Sequence, residues 1–236
     1  MKSWLLSRNI LVVLIYRILL ILFLFSLCRV GFYVFNLKMF PGITPGQFLE
    51  IMRGGLLFDI SATVYINLLI ILLHVVPFEF RYNDLYQKIL KYIFFLTNGL
   101  ALAVNCADFV YYRFVFKRAT ADVFRTFENE SHLAKMLFRY LVDYWPATLF
   151  GLLTLFLMVF LYLKIKVRKP EPSGKVLYHV INILAVPLAI GLCIGGARGS
   201  MNESTRPIAI SNAARYVDNP RDVAIVLNTP FSLLRT

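Results

Sequence analysis

Five apolar stretches dominate this sequence, and each is close to the ~20 residues that an α-helix needs to cross the hydrocarbon core of a bilayer. We place one within residues 10–35 and the others at about Gly55–Phe78, Lys91–Tyr111, Trp145–Leu163 and Leu177–Gly195. The composition agrees, because 59% of the residues are hydrophobic, only 16% are charged and the mean hydropathy is +0.69. We therefore predict an all-α fold, a polytopic membrane helical bundle of about five transmembrane helices.

The first span lies so close to the N-terminus that it invites comparison with a signal peptide. Its apolar region is too long and no small-residue cleavage site follows it, so we predict an uncleaved first helix. Arg17 and Arg29 interrupt this helix, and we expect one of them to snorkel or to sit at a membrane edge. Trp145 and Tyr162 are predicted to anchor the fourth span at the two interfaces.

The net charge of +12 comes from basic residues in loops beside the apolar spans. On a soluble protein such an excess would suggest nucleic acid, but beside membrane spans it indicates topology and anionic lipid headgroups. We therefore expect membrane phospholipid as a partner and no nucleic acid. Cys28, Cys106 and Cys193 all fall in apolar runs, without the spacing of a disulfide framework or a metal site.

Charge in the loops also predicts the orientation. The loop 164–176 holds five Lys or Arg, which favours the cytoplasmic side, whereas the loop 112–144 holds six and weakens the argument. We predict a cytoplasmic N-terminus and an extracytoplasmic C-terminus. Residues 1–199 would then form the transmembrane domain and 200–236 an extracytoplasmic linker, since this tail is too short to bury a core of its own.

The loop 112–144 contains a helical pattern of its own. Apolar residues such as Leu133, Leu137 and Leu141 follow Ser131, a plausible N-cap, at helical spacing. The pattern predicts an amphipathic helix at the outer interface with Lys135 and Arg139 near headgroups. A helix packed on the bundle is an equally good interpretation.

Polar residues inside the second and third spans fall on one face of each helix. On the second span they are Asp59, Thr63, Asn67 and His74, and on the third Asn98, Asn105, Asp108 and Tyr112. In the predicted topology Asp59 and Asp108 lie near the outer surface, below four basic residues of the flanking segments. The candidate lipid-headgroup site therefore comprises Arg53, Asp59, Asn105, Asp108, Arg113, Lys117 and Arg118.

Three interpretations of this cluster are open. Interhelical hydrogen bonds and ion pairs would hold two helices together, which is the commoner use of intramembrane polar residues. In a headgroup site, Arg and Lys would pair with a lipid phosphate while Asp and Asn bind hydroxyls or an amine. A proton or ion path is the third. The sequence has no motif of a catalytic or metal site, so we expect neither in this chain.

Three segments together resemble the membrane half of the lipoteichoic acid synthase family. They are RGGLLFDISA (53–62), NCADFVYYRFVFKRATADVF (105–124) and RPIAISNAARYVDNPRDVAIVLNTPFSLLRT (206–236), set in the order of five spans and a tail. This family comprises sulfatase-like phosphoglycerol or phosphoethanolamine transferases of the alkaline phosphatase superfamily. The resemblance covers essentially the whole chain.

The resemblance implies a bacterial plasma membrane protein whose tail leads into an exported catalytic domain. In the family that domain carries a metal-bound Thr nucleophile, so a divalent metal (Mn, Mg or Zn) is expected there and no cofactor in this chain. The implied function is anchoring and lipid-donor presentation for a headgroup transferase of the cell envelope. The alternative is a stand-alone membrane protein, either a small transporter or a regulatory partner.

Overall fold

The computed structural model describes residues 6–123, 133–168, 175–200 and 206–235. Strand β1 (Leu6–Arg8) precedes three long helices, α1 (Ile10–Phe35), α2 (Pro45–Val75) and α3 (Asp84–Val115). A shorter helix α4 (Leu133–Asp143) leads to α5 (Trp145–Leu163), strand β2 (Ile165–Val167) and α6 (Lys175–Arg198). The tail holds two short helices, α7 (Val223–Val226) and α8 (Thr229–Leu234). Short 3-10 helices lie at Leu37–Met39, Glu79–Tyr82, Ile210–Tyr216 and Pro220–Asp222.

Five of these helices are long and apolar enough to cross a membrane: α1, α2, α3, α5 and, from Val180, α6. The predicted all-α polytopic bundle is therefore confirmed. Helices α1, α2 and α3 pack on one another, α5 lies against α1 and α3, and α6 lies against α2. We call the end where β1 and β2 pair in parallel the strand end, and the opposite end, which carries residues 206–235, the tail end.

Two helices extend beyond the predicted spans because their N-termini are capped by side chains. The backbone N–H of Gln47 donates to Thr44 Oγ1 at 3.3 Å, and the backbone N–H of Thr44 donates to Gln47 Oε1 at 2.9 Å. This capping box starts α2 ten residues before Gly55, at Pro45. Asn83 is a simple N-cap of α3, and its Oδ1 accepts from the backbone N–H of Leu85 at 2.9 Å.

The polar faces predicted for the second and third spans are buried. All eight of their residues lie inside the protein, and they include a reciprocal amide pair between α2 and α3. Asn67 Nδ2 donates to Asn98 Oδ1 at 2.9 Å, and Asn98 Nδ2 donates to Asn67 Oδ1 at 2.8 Å. His74 is satisfied on both ring nitrogens, by Arg17 and by the Ile70 carbonyl.

Two expectations about single residues were wrong. Neither arginine of α1 snorkels, because Arg17 and Arg29 are only 4% and 2% exposed and both find polar partners on α2. Tyr162 is not an interfacial anchor, since its ring is buried against Phe94 and the Arg17 guanidinium. Trp145 does lie on the surface, at 64% exposure.

The predicted amphipathic segment forms a helix, α4, just before α5. Phe138 and Leu141 expose 69% and 54% of their surface, as expected of a helix that meets lipid. Arg139 is also exposed. The predicted N-cap Ser131 lies outside the described residues.

The tail is not a free linker but a packed part of the bundle. All nine residues from Ala224 to Ser232 are buried, and their contacts reach α1, α2 and α3. Phe231 is fully buried and meets Phe58 of α2 edge-on, with ring centroids 5.0 Å apart. That this segment leads into a further domain stays a prediction.

The Asn67–Asn98 pair provides a test of the bundle. Replacing one residue with Ala leaves the other buried amide without its hydrogen-bond partner, which costs about 1–3 kcal/mol. Replacing both residues removes the two polar groups together. We expect each single variant to lower the thermal midpoint in detergent, and the double variant to lower it by less than their sum. Additive losses would contradict the pairing.

Candidate functional site

The tail end contains two buried arginine–carboxylate pairs, and the first joins α1 to α2. Arg29 donates to Asp59 twice, from Nη1 to Oδ2 at 2.6 Å and from Nη2 to Oδ1 at 2.7 Å. Asp59 is fully buried. Arg29 also donates to three backbone carbonyls, those of Gly55, Ile225 and Val226, each at 3.0 Å. A bidentate pair of this kind fixes both distance and orientation.

The second pair joins the end of α3 to the segment that follows it. Arg118 Nη1 donates to Asp108 Oδ2 at 2.9 Å, and its Nε donates to the Ala224 carbonyl at 2.7 Å. The guanidinium lies over the Phe32 ring, 3.5 Å from its centroid. Burial lowers the pKa of Arg118, and the Asp108 carboxylate opposes that shift. A guanidinium stays charged under these conditions, so the pair is ionic.

The tail links the two pairs through the N-cap and the first residue of α8. Asn228 Nδ2 donates to Asp59 Oδ1 at 2.7 Å, and Thr229 Oγ1 donates to Asp108 Oδ2 at 2.8 Å. The backbone N–H of Thr229 donates to Asn105 Oδ1 at 3.0 Å. Residues of four elements therefore meet in one hydrogen-bonded cluster.

This cluster satisfies backbone groups that the tail cannot satisfy itself. Arg29 lies six residues before the end of α1, and Asp108 seven before the end of α3, so the tail reaches roughly 10 Å below the helix ends. At that depth each unpaired N–H or C=O is costly, and irregular backbone persists only where protein groups bind it. The carbonyls of Ala224, Ile225 and Val226 accept from the two arginines, which meets this need.

A glycine pair on α2 makes room for these contacts. A Cβ on Gly55 would lie 2.2 Å from Cζ of Arg29, and one on Gly54 would lie 2.2 Å from Cγ of Tyr216 in the tail. Contacts that short do not occur in proteins. The GG step at 54–55 therefore lets the arginine and the tail lie directly on the helix.

The seven residues of the candidate site fall into two groups. Asp59, Asn105, Asp108 and Arg118 are buried together in the cluster. Arg53, Arg113 and Lys117 lie outside it. Arg53 is largely exposed beside Glu50, with Nη1 and Oε1 3.6 Å apart, and Lys117 is exposed. Arg113 is half-buried and donates to Asn36 Oδ1 at 3.3 Å and to the Phe35 carbonyl.

Sequence reasoning missed Arg29, Asn228 and Thr229 as members of the cluster. The pairing of Arg29 with Asp59 could have been predicted, because a cation inside an apolar span needs an anion and Asp59 is on the next span. The sequence of Asn228, Thr229 and Pro230 is a typical helix start, and Asn228 Oδ1 indeed accepts from the N–H of Phe231 at 2.7 Å. Nothing local shows that this turn enters the bundle.

The arrangement is suited to binding and holding rather than to acid–base work. Each carboxylate oxygen of Asp59 and Asp108 accepts at least one hydrogen bond, and the two pairs are neutral together. Among the described residues, no group of three His, Cys, Asp or Glu side chains could hold a metal ion. Asn105 Nδ2 is a buried donor that no described residue accepts from.

Comparison with known proteins adds no relative to this description. No family model matches the chain, and neither a curated protein nor a solved structure is similar enough to count as a match.

The Arg29–Asp59 pair gives a direct test of tail docking. In Asp59→Asn the Arg29 charge stays buried without its anion, a change that costs about 3–5 kcal/mol. We expect a lower thermal midpoint and release of the tail, measured as maleimide labelling of a Cys placed at the buried Ser232. The Ser232→Cys chain with Asp59 intact should label slowly.

Glu50→Gln is the matched control for that experiment. It removes a carboxylate from the exposed Arg53–Glu50 contact, where ion pairs contribute about 0–1 kcal/mol. Equal labelling of Ser232→Cys in the Asp59→Asn and Glu50→Gln backgrounds would mean that the buried pair does not hold the tail.

Proposed function

We propose that this chain is the membrane domain of a sulfatase-like phospholipid headgroup transferase, which anchors the enzyme and presents a phosphoglycerol or phosphoethanolamine donor lipid to it. The proposal rests on the sequence resemblance, and one structural observation supports it: the tail is docked on the bundle by two buried ion pairs. A domain that follows a docked tail is held at a constant height above the membrane, as an enzyme that acts on lipid headgroups requires.

In this proposal the tail end faces the outside of a bacterial plasma membrane and the strand end faces the cytoplasm. The phosphoryl transfer would take place in a further domain, which would also hold the divalent metal. The membrane domain contributes a headgroup-binding surface formed by Arg53 and Lys117, which we call the rim. Arg53 and Lys117 are exposed at the tail end, where Arg and Lys attract lipid phosphates.

The buried members of the candidate site have a different part in this proposal. Asp59, Asp108 and Arg118 already bind the tail. Their contribution to donor presentation is to hold the tail at a fixed position relative to the rim. Within the described ranges Asn105 Nδ2 has no acceptor, and a headgroup hydroxyl entering beside the tail could accept a hydrogen bond from it.

The size of the native polypeptide is the first test. Membranes are blotted with an antibody against the segment 112–144, and we expect a band far above 27.2 kDa, because the proposal requires a further domain. A band at 27.2 kDa would favour a stand-alone partner or transporter instead.

The second test is headgroup transfer by the full-length protein in vesicles of phosphatidylglycerol or phosphatidylethanolamine, with released diacylglycerol as the readout. Removing one rim charge should weaken donor binding about fivefold. We therefore expect Arg53→Gln and Lys117→Gln each to raise KM for the lipid by that factor, with kcat little changed.

Lys38→Gln is the control, since Lys38 is an exposed basic residue at the same end outside the candidate set. If all three variants raise KM equally, general surface charge and not the rim binds the donor. If none does, the rim has no part in presentation.

A further inference from the structure

A second buried polar cluster lies at the strand end, and nothing in the proposed function uses it. We call it the Arg17 cluster; it consists of Arg17 from α1, His74 from α2 and Tyr162 from α5. Arg17 and Tyr162 are each 4% exposed and His74 is fully buried. Arg17 Nη1 lies 2.5 Å from His74 Nε2, and its Cζ lies 4.2 Å from the centroid of the Tyr162 ring.

The hydrogen bonds of His74 determine the charge of this cluster. Its Nδ1 lies 2.7 Å from the Ile70 carbonyl, which can only accept, so Nδ1 carries the proton. Its Nε2 faces the Arg17 guanidinium, which can only donate, so Nε2 is the acceptor. His74 is therefore neutral, and Arg17 brings a full positive charge that its nearest polar partner does not balance.

No carboxylate of the described residues pairs with Arg17. Other arginines of those ranges do form ion pairs, among them Arg29 with Asp59, Arg53 with Glu50 and Arg118 with Asp108. Every buried arginine of the tail end thus has its own anion, whereas Arg17 has an imidazole and an aromatic face. Two buried donors of the cluster, Arg17 Nε and the Tyr162 hydroxyl, find no hydrogen-bond partner among the described residues.

Magnitudes indicate that the described residues do not fully offset the cost of burying this charge. A desolvated cation–π contact contributes about 2 kcal/mol. Burial of an unpaired ion costs several kcal/mol even after relaxation, and an unsatisfied buried hydroxyl adds about 1–3 kcal/mol more. An anion that accepts from both Arg17 Nε and the Tyr162 hydroxyl would offset these costs together.

The position of the cluster suits a group from the membrane surface. His74 and Tyr162 both lie in the last turn of their helices, so the cluster is close to the level where the bundle ends. A second guanidinium lies next to it: Arg81 donates to the Val76 carbonyl at 3.0 Å and to Asn182 Oδ1 at 2.6 Å. Both features favour an anion over any other ligand.

We propose that the Arg17 cluster is a binding site for an oxyanion of the phosphate class, held by the Arg17 guanidinium and the Tyr162 hydroxyl. Guanidinium–phosphate hydrogen bonds are among the strongest in proteins, and a phenol adds a directed donor. The anion would be either the headgroup phosphate of a phospholipid in the adjacent leaflet or free inorganic phosphate. This proposal does not depend on the proposed function, which concerns the other end of the bundle.

The test titrates the delipidated full chain in detergent with two probes. One arm adds inorganic phosphate, with chloride at equal ionic strength as its blank. The other adds phosphatidylglycerol and counts the lipids retained by native mass spectrometry. Binding is also read as a rise in the thermal midpoint. We expect one or both probes to bind wild-type protein, and the arm that responds identifies the source of the anion.

Three variants decide whether the binding occurs at this cluster. Arg17→Gln should weaken binding of the responding probe at least about tenfold, since it removes a charged hydrogen-bond partner. Tyr162→Phe should weaken it about fivefold. Lys38→Gln, at an exposed basic residue of the tail end outside the rim, should leave it unchanged.

Tyr162→Phe also separates binding from a structural role, even if Arg17→Gln does not fold. No residue in the described part of the chain pairs with the hydroxyl, so its removal should leave the midpoint without anion unchanged or slightly raised. Tyr16→Phe is its counterpart, because Tyr16 already donates to the Leu161 carbonyl at 2.9 Å. Tyr16→Phe should lower the midpoint without anion and keep the anion response.

Two results would overturn the proposal. One is the absence of any response to either probe in the wild-type chain. The other is a response of equal size in wild type and Tyr162→Phe.

Discussion

The high cost of placing an arginine inside a membrane bundle governs this structure. Arg29 is 2% exposed at a point ~9 Å below the end of α1, and it is stable there because Asp59 of the next helix neutralises it bidentately. The pair leaves guanidinium N–H groups free to bind carbonyls. Without such donors, the irregular turn of the tail between α7 and α8 would have no place among the helices.

The buried arginines at the two ends of the bundle have different kinds of partner. At the tail end, both buried arginines have carboxylate partners and also bind backbone, so charge and hydrogen bonding are balanced within the chain. At the strand end, the described residues offer Arg17 a neutral imidazole and a tyrosine ring. The contrast within one molecule makes the strand end the more informative place to look for a ligand.

Much of the fold could be predicted from the sequence because membrane helices are local structures. Length and hydropathy predict the five spans, and a 3.6-residue period places Asp59, Asn67 and Asn98 on buried faces. The start of α2 was missed although its capping box is visible at Thr44 and Gln47, because a hydropathy window does not register capping.

The candidate site was only partly predictable, because its other half is distant in the chain. Asp59, Asn105, Asp108 and Arg118 could be grouped from two helix faces and a loop. Their tail partners lie more than a hundred residues further along. The apolar run VAIVL at 223–227 indicates burial but not which helices the tail packs against. Whether the end of a helix is covered by another segment of the protein or by lipid depends on tertiary packing. The periodicity of polar and apolar residues along the helix does not predict it.

The position of the tail has a consequence for biogenesis. Residues 206–235 are synthesised after all five spans, so α1, α2 and α3 enter the bilayer before the Ile225 and Val226 carbonyls exist. The contact between Arg29 and Asp59 joins two helices that emerge consecutively, so it needs no residue of the tail. The tail then fills a notch that is neutral but still polar.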